Sequence, residues 1–115
     1  MVAKERLYRM TEPQKNMLFV ALADEHKRRR LKGLDTEWLR QFAIRVEELT
    51  QKKNFWPWDK TKVFDLYLTD EEWRTARNAL NDLRNWRFSV GKGDGGTDEA
   101  LLKIMRAKYK NAPER

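Results

Sequence analysis

The sequence predicts a mainly α, single small domain of about four helices with a short β element, in the order α-α-β-α-(β)-α. Three observations carry this reading. Apolar residues recur at three- and four-residue spacing in four separate stretches, each preceded by a capping residue. One run, "VFDLYL", alternates instead. The 115 residues build one compact core rather than two.

Residues 1–10 read as a charged leader, with Leu7, Tyr8 and Met10 able to dock on a domain over 11–111. Thr11 and Gln14 have capping-box spacing, and Pro13 suits a first turn. Met17, Leu18, Ala21 and Leu22 then form an apolar stripe, widened by Phe19. Gly33 offers the left-handed C-terminal position, with Leu34 as the contact after it. Helix one is therefore expected from Glu12 to Lys32.

Asp35 or Thr36 caps the second helix, whose stripe is Trp38, Leu39, Phe42, Ala43, Val46 and Leu49. Pro57 interrupts the stretch from Gln51 to Lys62. In the alternating run, Phe64, Leu66 and Leu68 share one face. Thr69 and Glu72 repeat the capping-box spacing, and Trp73, Ala76, Leu80 and Leu83 form the stripe of helix three. Trp86, Phe88 and Val90 alternate with Arg87 and Ser89, as a second strand or a fraying helix end. Thr97 caps a last helix with Leu101, Leu102, Ile104, Met105 and Tyr109 on its apolar side, and residues 112–115 read as a loose tail. The expected core is Leu18, Leu22, Trp38, Phe42, Val46, Leu66, Trp73, Leu80, Leu83 and Met105. No internal repeat is evident in the residues.

Composition narrows the chemistry. Cysteine is absent, which removes disulfides, thiol catalysis and thiolate metal sites. No apolar run approaches the roughly 20 residues of a membrane span, and "MVAKERLYRM" lacks the apolar core of a signal peptide. The expectation is a cytoplasmic protein without a membrane partner. Charged residues make up 37% of the chain and its net charge is +7, a balance that favours polyanions. The excess is uneven. Residues 1–62 carry fifteen Lys/Arg against nine Asp/Glu, and residues 63–115 carry ten against nine.

Gly91, Gly93 and Gly96 match the spacing G-x-G-x-x-G of a dinucleotide loop. The stretch after them supplies one helix and no second parallel strand. No Gly-Lys-Ser/Thr follows, and Asp94, Asp98 and Glu99 occupy the place where phosphate would sit. The segment reads as a joint that lets the last helix return to the core. The acids also lack the ligand spacing of a calcium loop. His26, the single histidine, has no facing partner in its helix, and Ser89, the single serine, has no nucleophile context. The residues therefore call for no catalytic group, cofactor or metal.

Two basic segments remain. Lys27, Arg28, Arg29, Arg30 and Lys32 crowd one helix end and point nearly all round its axis, at about 100° per residue. One or two cations would satisfy the helix dipole, whereas five repel one another unless carboxylates or an outside anion answer them. Lys52, Lys53, Lys60 and Lys62 bracket Phe55, Trp56 and Trp58, a mixture suited to phosphates and stacked bases. The leading expectation is a non-enzymatic accessory or regulatory protein that contacts nucleic acid or a nucleoprotein complex through these cations. The alternative is a protein inhibitor or adaptor, of phage or mobile-element type, that grips a host protein through Phe55, Trp56 and Trp58 or a helix face.

Overall fold

The computed structural model describes residues 4–49, 63–93 and 95–111. It is mainly helical, with four helices and a small three-stranded antiparallel sheet. The chain runs β1 (Lys4–Thr11), α1 (Glu12–Leu31), α2 (Glu37–Glu47), β2 (Val63–Leu68), α3 (Asp70–Ser89), α4 (Thr97–Met105) and β3 (Tyr109–Asn111). The strand order is β2-β1-β3.

The segment expected as a charged leader is thus mostly the central strand. Its charges hide an alternation in which Tyr8 and Met10 are buried while Arg9 between them faces solvent. Burial also holds the Tyr8 phenol above its ordinary range, so it stays a neutral donor to the Ala100 carbonyl, 3.1 Å away. The run from Trp86 to Ser89 is no strand; it completes α3. Tyr109 leaves the last helix and opens β3.

Both long helices start and stop as their residues dictate. Thr11 and Thr69 accept from the backbone N–H groups of Gln14 and Glu72, whose side chains reach back to the cap backbone. At the far ends, Gly33 and Gly91 adopt φ of +74° and +73°, which a side chain would resist. Gly33 N–H donates to Arg30 and Leu34 N–H to Arg29; Gly91 N–H donates to Phe88 and Lys92 N–H to Arg87. These are two matching six-to-one, five-to-two helix stops.

That match extends along the chain. The unit β-α-α occurs twice, β1-α1-α2 and β2-α3-α4, at one constant offset that carries Thr11 to Thr69 and Gly33 to Gly91. Leu18, Ala21 and Leu22 correspond to Ala76, Ala79 and Leu80; Phe42 and Val46 correspond to Ala100 and Ile104; all are buried. In the sheet, Tyr8 lies opposite its own counterpart Leu66, flanked by Arg6 opposite Leu68 and Met10 opposite Phe64. An approximate two-fold axis therefore passes between Tyr8 and Leu66. The residues alone conceal the repeat because chemically unlike side chains fill equivalent places and the first strand resembles a leader.

The core joins the inner face of the sheet to α1, α2, α3 and α4. Leu18, Leu22, Phe42, Val46, Leu66, Leu80 and Leu83 are buried as expected, and Trp73 packs against them half-buried. Two expected members are not. Trp38 is 39% exposed and Met105 is 52% exposed. Leu39 takes the place of Trp38, and α4 turns Thr97, Ala100 and Ile104 inward instead of Leu102 and Met105. Thr97 is buried within the first turn; the cap position belongs to Gly96. Asp35, not Thr36, supplies the side-chain acceptor at the start of α2, to Glu37 N–H at 3.0 Å.

Thr11→Ala and Thr69→Ala are each expected to destabilise the chain by about 1 kcal/mol. Leu22→Ala, which empties a fully buried site, should destabilise it by roughly 2–5 kcal/mol. Urea unfolding checks all three.

Candidate functional site

The C-terminal end of α1 holds the first basic cluster, and the structure divides it. Glu25 and Asp82 answer two of its cations. Arg28 lies 2.5 Å from Glu25 and 3.3 Å from Asp82 of α3, while Arg29 Nε donates to the other Glu25 oxygen at 2.9 Å. Partial burial by itself raises the Glu25 pKa. The hydrogen bonds and charges of Arg28 and Arg29 together outweigh that and hold the carboxyl below its ordinary range. Lys27, Arg30 and Lys32 are exposed and have no ion-pair or hydrogen-bond partner for their side chains among the described residues. Leu31, 78% exposed, and Leu34, 56% exposed, stand among them.

Lys52, Lys53, Lys60 and Lys62, with Phe55, Trp56 and Trp58, lie outside the described residues. What the structure does bring to the α1 end is the C-terminal part of α3. A groove of about 490 Å³ between these helices is lined by Val20, Asp24, Lys27, Arg28, Leu83 and Trp86, with Asp82 at its wall. Trp86 is 51% exposed, and Lys92 Nζ stands 5.1 Å from its ring centroid. Spacing and composition do not mark Asp24, Trp86 or Lys92 as site residues. In the sequence Trp86 belongs to an alternating run, and only the α1–α3 packing sets it beside Lys27. The available signal is positional: Trp86 occupies the place in the second unit that Arg28 holds in the first.

Other expected or conceivable sites have different geometry. In the glycine segment, Arg87 Nε donates to the Gly93 carbonyl and Asp98 is paired with Arg84, while Asp94 lies outside the described residues. The loop thus turns an acceptor toward an arginine. His26 is half-buried on α1, and Ser89 Oγ donates to the Trp86 carbonyl at 2.6 Å. A two-stranded ribbon is narrow enough for a DNA major groove. On the outer face of β1 and β2, however, Arg9 is the one cation among the described residues, and it is held by both Asp65 oxygens at 2.7 and 3.2 Å. No described helix is long and apolar enough to cross a membrane.

Comparison with protein-family models, curated proteins and solved structures gives no match.

The Glu25 carboxyl titrates below its ordinary value when folded. Its ion pairs therefore contribute stability that is fully present above that ordinary value and is lost as pH falls through the folded value. Glu25→Gln should lower the urea midpoint at neutral pH, and its difference from the parent should shrink on acidification through that window. A difference independent of pH would remove the charge from this account.

Proposed function

We propose that this chain is a non-enzymatic accessory protein that binds nucleic acid, free or within a nucleoprotein complex, through the C-terminal end of α1. The observation that carries the reading is the state of Lys27, Arg30 and Lys32. Three exposed cations crowd little more than one helical turn without a carboxylate partner among the described residues, although Glu25 and Asp82 neutralise their neighbours. Mutual repulsion at such a place is relieved by an anion with regularly spaced charges, which a phosphate backbone supplies. Arginine forks and lysine ammonium groups both serve that purpose.

The net positive charge concentrated in residues 1–62 supports a polyanionic partner. Phosphate contacts give affinity without base preference, so this surface by itself binds many sequences. The competing reading is capture of a host protein by a helix face or by Phe55, Trp56 and Trp58, which lie outside the described residues.

Binding to short DNA and RNA at low ionic strength should weaken steeply as salt is added. Lys27, Arg30 and Lys32 changed together to Glu should abolish it. Changed together to Gln, they should reduce the log–log salt slope by roughly 2 to 2.7, at roughly 0.7–0.9 for each phosphate no longer neutralised. Fluorescence anisotropy reads both effects. An unaltered slope in the Gln variant, or no binding by the parent at low salt, overturns the proposal.

A further inference from the structure

The two-fold relation between the units makes one asymmetry informative. On one side, Arg28 of α1 pairs with Asp82 of α3. The equivalent positions on the other side are Trp86 of α3 and Asp24 of α1, which line one groove together. There an indole stands where the first unit has an arginine, and the Asp24 carboxylate is exposed with no partner among the described residues. The second side thus presents a flat aromatic surface where the first has a guanidinium, and Lys27, Arg28 and Asp82 line the same groove.

We propose that this groove receives an unpaired guanine base of a single-stranded nucleic acid, a specificity that rests on the nucleic-acid reading above. The requirements on the ligand follow from the side chains. It must present a planar face to Trp86 and N–H donors to Asp24, and it must carry negative charge toward Lys27 and Lys92. A base stacked on an exposed aromatic ring, with its phosphates beside lysines, meets the first and third demands. Guanine meets the second most fully. Its Watson–Crick edge sets two adjacent N–H donors side by side, matching the two oxygens of a carboxylate, whereas the edges of adenine, cytosine, uracil and thymine do not. That edge is available only when the base is unpaired, so a duplex is excluded from the groove. Val20, 47% exposed, and Leu83 provide the apolar floor, and the groove volume of about 490 Å³ admits a base with part of its sugar.

The test uses the full chain and short single-stranded oligonucleotides, in DNA and RNA series, that carry isolated guanines in a thymidine or uridine background. Matched strands without guanine and a duplex of equal length complete the set. The guanine strands should bind best, in one or both backbone series. Trp86→Leu should weaken single-strand binding by about tenfold and leave duplex binding unchanged. Asp24→Asn should erase the guanine preference while single-strand binding persists. In the unaltered protein the Trp86 indole resonance should move on adding guanine strands and stay in place with duplex, which keeps the test independent of how the variants fold. Salt-sensitive binding with no guanine preference and a stationary Trp86 resonance would overturn this inference and leave the polyanion reading standing. Absence of binding by any strand at low salt would overturn both.

Discussion

The arrangement depends on a side chain that performs two jobs at the start of each long helix. Gln14 Oε1 accepts from the Thr11 N–H at 3.0 Å, closing the cap of α1, and also accepts from Lys103 of α4 at 3.1 Å. Glu72 accepts from the Thr69 N–H at 2.9 Å, closing the cap of α3, and pairs with Arg45 of α2 at 2.7 Å. Lys103 and Arg45 are equivalent positions, so the two bonds are one interaction used twice. Each ties the helix start of one unit to the short helix of the other. Both cap side chains are buried, so leaving either unpaired would expose the fold to the full penalty of a desolvated polar group. Arg45 also reaches the Tyr67 carbonyl at 3.4 Å, which adds the sheet to the same lock.

Around that frame the halves differ. The second unit adds β3, and its closure engages Arg6, whose guanidinium lies 4.1 Å from the Trp73 ring centroid and 4.5 Å from that of Tyr109. Tyr109 donates to Asp70 at 2.6 Å, a bond that raises its phenol pKa, and Arg6 donates to the Ala107 carbonyl at 3.0 Å. Trp73 is half-buried because it serves this stack and donates to the Ile104 carbonyl. The helix ends differ more sharply. Where the first unit has Arg28, Arg30 and Lys32, the second has Trp86, Phe88 and Val90, so a cationic end and an aromatic end share one scaffold.

Much of the local structure is legible in the residues. The Thr11–Gln14 and Thr69–Glu72 boxes place both helix starts, and Gly33 places one stop, because caps depend on a few neighbouring residues. Trp38 and Met105 mislead because periodicity gives the width of an apolar stripe but not which edge meets the core. The first strand is hidden for a related reason. Lys4, Glu5, Arg6 and Arg9 suggest a solvated leader until β2 and β3 are set on either side, after which Glu5 and much of Arg6 are covered. In the candidate site, the crowded cations of the α1 end can be read directly. Their division into paired Arg28 and Arg29 and unpartnered Lys27, Arg30 and Lys32 cannot.

The sequence by itself determined four helices, the capped starts of the two long ones, the stop at Gly33, a helical single core and a basic first half, since these follow from spacing and local hydrogen bonding. Tertiary structure alone decided the two-fold pairing of the units, the central place of β1, and the meeting of Asp24, Lys27 and Trp86. Those features depend on contacts between residues far apart in the chain. Several quite different side chains satisfy each such contact, so no single residue announces it.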